Sequence, residues 1–324
     1  MDLFTRALTL MVANKLGVFD ALAKGGRGAV QAARSLKCDP KGMRILLDAL
    51  VALEYLKKVQ GRYENERDTA LYLTKESEQY LGTRLLHTYD GLARWLRLED
   101  LVRHGQTYKN RLPEFRKSLS ERKKSAREFA LGLEQSSRST AALVADTLDL
   151  TAVGDLLDLG GGAGTYSMAF ARKWPFIRPV VFELPVPARV AGRQVKQAGL
   201  AGRVRVKVGD FLADDLGENT YDAVFASNIV HNLSENENKM LLRKVWRALR
   251  SGGRIIVKDM MPNDRRDGPY YPLIFALTML MFTESGDTYS VSQVTEWLRE
   301  AGFAGISRKT VVPKESTILL GRKK

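Results

Sequence analysis

Two regimes of hydrophobic patterning divide the chain. Over the first 150 residues, apolar positions recur mostly at helical spacing. Leu8 to Ala23 predicts one helix closed by Gly25-Gly26, and Ala29 to Leu36 predicts a second. Asp39 is placed to cap a third, with Pro40 at its first position, and Lys41 to Leu56 then sets Ile45, Leu46, Ala49, Leu50 and Leu53 on one face. The following KKVQGRYENERDTALYLT predicts two short strands around a polar turn. Three helices and a small β-wing make a winged-helix pattern.

From about residue 152 the period changes. Apolar runs of strand length alternate with helical stretches: DLLDLG, RPVVFEL, RVRVKVGD, YDAVFASN, GGRIIVKDM and a final ISRKTVVPKESTILLGR. That alternation predicts an α/β domain with a doubly wound parallel sheet. The last two segments read as consecutive strands with no helix between them, so the terminal strand is expected to enter antiparallel. The expected organisation is a winged-helix-like domain over 1–100, a helical linker with a basic segment over 101–150, and a Rossmann-like domain over 151–324. The longest apolar run, Tyr270 to Phe282, has 13 residues, against the ~20 a membrane-spanning helix needs.

Composition is that of a folded chain, with 44% hydrophobic and 27% charged residues. The single cysteine, Cys38, forbids an intramolecular disulfide, and three histidines leave little for a metal centre, so no metal is expected. With no cleavage site in the N-terminal helix, a cytoplasmic setting is expected. The net charge of +14 invites a nucleic-acid reading. From Arg103 to Arg127, nine basic residues face only Glu114 and Glu121. The run holds few aromatics, which argues against base stacking and leaves a solvated face or a rim attracting an anionic substrate.

The sharpest chemical signal is Asp158-Leu-Gly160-Gly-Gly162-Ala-Gly164, a strand running into a glycine turn before TYSMAFARKWP. It has no Walker lysine, but NAD, FAD and S-adenosylmethionine sites share its form. The second strand ends in Glu183, placed to accept from ribose hydroxyls. The third ends Gly209-Asp210-Phe211, a carboxylate for an exocyclic amine and a ring to pack on adenine. The fourth runs into Ser227-Asn228-Ile-Val-His231-Asn232. An imidazole, with a reference pKa near ~6.5, can take a phenolic proton near neutral pH, although a histidine there can also cap the following helix. His87 and His104 read as surface or pocket-lining.

In this order the motifs resemble the S-adenosylmethionine-dependent small-molecule O-methyltransferases of the plant caffeate and hydroxyindole type, with their bacterial natural-product relatives. The matching segments are DLGGGAG (158–164), FELP (182–185), GDF (209–211), YDAVFASNIVHNLSENE (221–237) and LREAGF (298–303). The resemblance implies a homodimer formed through the N-terminal domain and a small, aromatic or polyketide-like acceptor. It implies that Gly160 and Gly162 pass the methionine part of S-adenosylmethionine, that Glu183 holds ribose, and that Asp210 with Phe211 holds adenine. Ser137 would meet the cofactor's amino-acid end. Asp158, Leu184, Gly209 and Ser227 would complete the cofactor lining. His231 matches the general base, with Asn228, Asn232 and three residues of the apolar run, Tyr271, Phe275 and Met279, facing the acceptor.

Departures accompany the match. The family's His-Asp-Trp is His231-Asn232-Leu233, and the basic residue usual four positions before the histidine is Ser227. The acids that support the base in plant members fall at Thr288 and Leu320, so the adjacent Asp287 is the expected substitute. The same scaffold admits transfer to carbon or nitrogen or a non-methylating role, and the winged-helix pattern admits a DNA-binding regulator.

Overall fold

The computed structural model describes residues 2–113, 127, 130–132, 137, 138, 140–312 and 316–324. Most of the basic run, residues 114–126, lies outside them. The chain parts into two units, Met1–Ala93 and Arg94–Lys324.

In the first unit the predicted opening helix is two. α1 (Asp2–Leu16) stops where Gly17 adopts φ +78°, and α2 (Val18–Leu22) restarts at an angle. A glycine enters that left-handed region without a Cβ clash, which hydrophobic spacing alone does not reveal. α3 is Ala29–Leu36. α4 (Pro40–Ala52) is capped as expected, the Asp39 carboxylate accepting from the Gly42 N–H at 2.7 Å. β1 (Leu56–Val59) and β2 (Arg62–Asn65) form an antiparallel hairpin. The residues after it, expected in strand, are helical as α5 (Arg67–Leu73), and α6 follows over Gly82–Trp95. Phe19, Leu47, Leu50 and Tyr63 centre the core of this unit.

The second unit opens with α7 (Leu98–His104) and a 3-10 turn over Gln106–Arg111. Its sheet is built from β3 (Asp155–Leu159), β4 (Arg178–Glu183), β5 (Arg205–Val208), β6 (Tyr221–Ser227), β7 (Leu249–Asp259), β8 (Phe303–Val312) and β9 (Ser316–Lys323), in the order β5-β4-β3-β6-β7-β9-β8. The five strands from β5 to β7 are parallel. β9 enters antiparallel beside β7, as anticipated, but not for the expected reason: two helices, Tyr270–Phe282 and Val291–Glu300, separate the last two segments, and the final one is a hairpin of β8 and β9. Helices α8 (Thr165–Lys173), α9 (Pro185–Gln197), α10 (Glu235–Ala248), α11 (Tyr270–Phe282) and α12 (Val291–Glu300) complete the unit.

Side chains of neighbouring strand positions take opposite faces. Leu157, Val224, Ile255 and Val257 pack toward α10 and α12, whereas Leu156, Phe225 and Ile256 pack toward α8 and the helical residues 140–147. The chain winds outward from β3 to β5, then crosses back to β6. The switch point therefore lies between β3 and β6, and in open α/β sheets ligands bind at the carboxyl ends of the strands there.

Candidate active site

The glycine turn leaves β3 at that switch point. Gly160 sits at φ +62°, and a Cβ there would run into Ile229 Cδ1. Gly209 is compelled differently, because a Cβ would enter the Phe182 ring. Beside Gly162 the space is open: a Cβ there would meet nothing within 4 Å. Asp158 is buried beneath the turn and accepts from Ser167 Oγ at 2.6 Å. Burial pushes its carboxyl up to about 7, against the pull of that hydrogen bond.

Glu183 stands at the tip of β4 and accepts two backbone N–H groups, Gly162 at 2.9 Å and Leu184 at 2.7 Å. Burial raises its carboxyl above the usual range, and these two bonds oppose the shift. Each carboxylate oxygen keeps a second lone pair for a ligand hydroxyl. Leu184 is exposed at the mouth of the turn. At the tip of β5 the exposed Asp210 takes the Leu212 N–H at 2.9 Å, which fixes its carboxylate, and the half-buried Phe211 ring packs on the core. Ser137 lies in the helical stretch one turn before Thr140, whose hydroxyl donates to the Ser137 carbonyl and lies 3.3 Å from Tyr166 Oη. The Ser227 Oγ, at the tip of β6, is buried without a hydrogen-bond partner.

His231 follows β6 in a short 3-10 turn, Val230–Asn232, and is buried. Its Nδ1 is 2.5 Å from Asp259 Oδ1, and the other oxygen of that carboxylate receives the His231 backbone N–H at 3.3 Å. A carboxylate at Nδ1 holds the proton there, so Nε2 carries the free lone pair. Phe275 of α11 meets the imidazole edge-on at 4.9 Å, and Tyr271, one turn earlier, stacks on Phe275 at 6.2 Å. Met279, a further turn along, is buried. Asn228 holds φ +60°, and its carbonyl accepts the Asn232 amide at 2.9 Å.

Asp287, the expected support of the base, makes no hydrogen bond to His231 among the described residues, although its neighbour Gly286 packs against the His231 carbonyl. Asp287 pairs with Arg266 at 3.1 Å and takes the Thr288 N–H. Asp259 engages His231 instead, and the sequence reading passed over it. Its signal was present: it closes the GGRIIVKDM strand, at the same kind of tip that had singled out Glu183 and Asp210. Two surface concavities, of about 240 Å³ around Met261, Asp264 and Arg308 and about 750 Å³ around Arg138, Met168 and Lys173, include none of the predicted site residues.

An O-methyltransferase domain model matches residues 95–304, and an O-methyltransferase dimerisation domain model matches residues 1–75. The chain belongs to the S-adenosylmethionine-dependent O-methyltransferase family. Among members of this family it is 33% identical, over 92% of its length and 86% of the relative's, to a 3-hydroxy-5-methyl-1-naphthoate 3-O-methyltransferase of Streptomyces sahachiroi. It is 30% identical to the N,N-dimethyltransferase OxyT of Streptomyces rimosus, over 93% and 88%. The solved structure of PigF with SAH superposes with a TM-score of 0.90 at 26% identity, covering 99% of this chain and 96% of that one. The strand-tip residues suit the cofactor of an O-methyltransferase: open space at Gly162, an orphaned hydroxyl at Ser227, and carboxylates at Glu183 and Asp210.

Proposed function

We propose that the protein transfers the methyl group of S-adenosylmethionine to a hydroxyl of a small aromatic or polyketide-type acceptor, with His231 as the general base. The observation that carries this reading is the 2.5 Å contact between His231 Nδ1 and Asp259, which leaves Nε2 basic beside the aromatic face of α11. The name of the naphthoate-methylating relative supports the acceptor class.

The cofactor supplies a methyl group on a sulfonium, and the chain's residues hold it and prepare the acceptor. Glu183, with Leu184 at its side, takes the ribose hydroxyls. Asp210 and Phe211, turned by Gly209, take the adenine. Gly160, Gly162 and Ser137 flank the methionine part, and Asp158 braces the glycine turn from below through Ser167. Phe275, Tyr271 and Met279 orient a flat acceptor, with Asn228 and Asn232 at the rim. His231 Nε2 accepts the hydroxyl proton, so that the acceptor oxygen would be ready to take the methyl group a bound cofactor would supply, leaving S-adenosylhomocysteine. Asp259 stabilises the resulting imidazolium. We further infer that two copies pair through their N-terminal units and that the enzyme serves cytoplasmic secondary metabolism.

The test is an acceptor screen by mass spectrometry with methyl-labelled cofactor. His231→Ala should lower the transfer rate to oxygen by roughly 10²–10⁴-fold while S-adenosylhomocysteine still binds by calorimetry. Undiminished O-methylation by that variant would overturn the base assignment.

A further inference from the structure

Lys258 is a buried ammonium with little to satisfy it. The residue is 5% exposed, and its Nζ has one long hydrogen bond, to Asn228 Oδ1 at 3.4 Å, and lies 5.7 Å from the centre of the Tyr166 ring. No carboxylate among the described residues forms an ion pair with it. A buried charge in that condition calls for a counter-ion.

Its position says where the counter-ion comes from. Lys258 pairs directly with Ser227 in the parallel ladder of β6 and β7. By strand alternation both side chains continue the face of Phe225 and Ile256, toward Tyr166, whereas Asp259 continues the opposite face, toward His231. The orphaned Ser227 hydroxyl and the undersatisfied ammonium therefore rise from directly paired positions on the same face of the sheet, without bonding each other. Two neighbouring donors of this kind match one acceptor with two oxygens, a carboxylate. Tyr166, whose ring lies 5.7 Å from the Lys258 ammonium, meets the Thr140 hydroxyl at 3.3 Å on this face.

We propose that Lys258 and Ser227 form a carboxylate site at the switch point, which takes the carboxylate of the cofactor's amino-acid end. This rests on the methyltransferase reading above. It also assigns a basic residue to the cleft although the chain carries Ser227 where relatives place one: the cation is donated from the adjacent strand, and the small Ser227 leaves it room.

The test compares two probes by calorimetry. S-adenosylhomocysteine has the amino-acid end, and 5′-methylthioadenosine has the nucleoside and sulfur without it. Lys258→Met, nearly the same in shape, should weaken S-adenosylhomocysteine about tenfold to a hundredfold and leave methylthioadenosine unchanged. Lys258→Arg should keep most of the affinity. Ser227→Ala should move in the same sense by a smaller factor, and it serves as the readout if Lys258→Met does not fold. A third probe separates the alternative source of the anion. If cofactor affinity is untouched but a hydroxynaphthoate loses its advantage over the naphthol lacking the acid, the carboxylate site stands and belongs to the acceptor. Equal weakening of both nucleosides, or no change with any probe, overturns the site. Failure of the unaltered protein to bind S-adenosylhomocysteine would instead bring down the methyltransferase reading, and this assignment with it.

Discussion

At the scale of single residues, two buried carboxylates separate stability from catalysis. Asp158 is an acid whose folded pKa, about 7, stands above its ordinary value near 3.8. The folded state therefore holds a proton that the unfolded state has released, and stability falls as pH rises between those values. Asp158→Asn removes this dependence. The variant should gain about 2 kcal/mol relative to the parent between pH 5.5 and pH 7, then level off, which denaturant melts of the ligand-free protein would show. A constant difference across that range would refute the burial argument. Asp259 is a different case, since its carboxylate is committed to the imidazole. Asp259→Asn should cut turnover about a hundredfold, whereas Asp287→Asn, which breaks only the pair with Arg266, should leave turnover within about twofold, as surface pairs contribute little. Steady-state rates on a common acceptor distinguish the two. The reverse ranking would restore Asp287 to the role its neighbourhood in sequence had suggested. That choice failed for a physical reason. His231 and Asp259 are 28 residues apart, and only the pairing of β6 with β7 brings them together. Glu183 and Asp210 needed no such knowledge, because each was read against a ligand from its own strand tip, whereas pairing Asp259 with His231 needs the strand order. Lys258 was less legible than Asp259, because it stands one residue inside the apolar strand that Asp259 closes.

At the scale of elements, the strands were more legible than their ends. Alternation fixed five parallel strands, but it read β8 and β9 as one segment and merged α1 with α2 across Gly17, since neither a hairpin nor a left-handed glycine leaves a mark on apolar spacing. The acceptor helix α11 is similarly opaque: it is apolar on all sides, so periodicity could not choose its cleft face. Its C-terminus is held by a residue no motif identified. Gln106 Nε2 donates to the carbonyls of Met279 at 3.0 Å and Thr283 at 2.9 Å; the first already takes the Thr283 N–H, whereas the second lies just past the helix end. Gln106→Leu should therefore cost about 1–2 kcal/mol of stability and raise the acceptor KM by about tenfold, because Tyr271 and Phe275 ride on this helix. The affinity for S-adenosylhomocysteine should not change, as Gln106 touches none of the strand tips. Calorimetry and acceptor kinetics on one preparation would check the split, and parallel loss of both affinities would show that the helix end does not act on the acceptor alone.

At the scale of the whole molecule, the decisive surface is at the beginning of the chain. α1 contributes Met11 and Ala13 to buried positions, but Leu3 is 84% exposed and Phe4 62% exposed on its first turn. Two large apolar side chains side by side in water, within a segment that matches a dimerisation domain, mark a surface to be covered. A second copy of the same chain can cover it symmetrically, each first turn packing against its partner. Since neither residue packs in the core of its own unit, Leu3→Glu with Phe4→Glu should leave the melting temperature of the separated chain nearly unchanged while removing the drive to associate. Light scattering after gel filtration should then report a mass near the 36.2 kDa of one chain, against about twice that for the unaltered protein. A variant that stays at double mass would place the pairing surface on another part of the unit, and a variant that loses its fold together with its partner would show that association supplies stability the unit lacks alone.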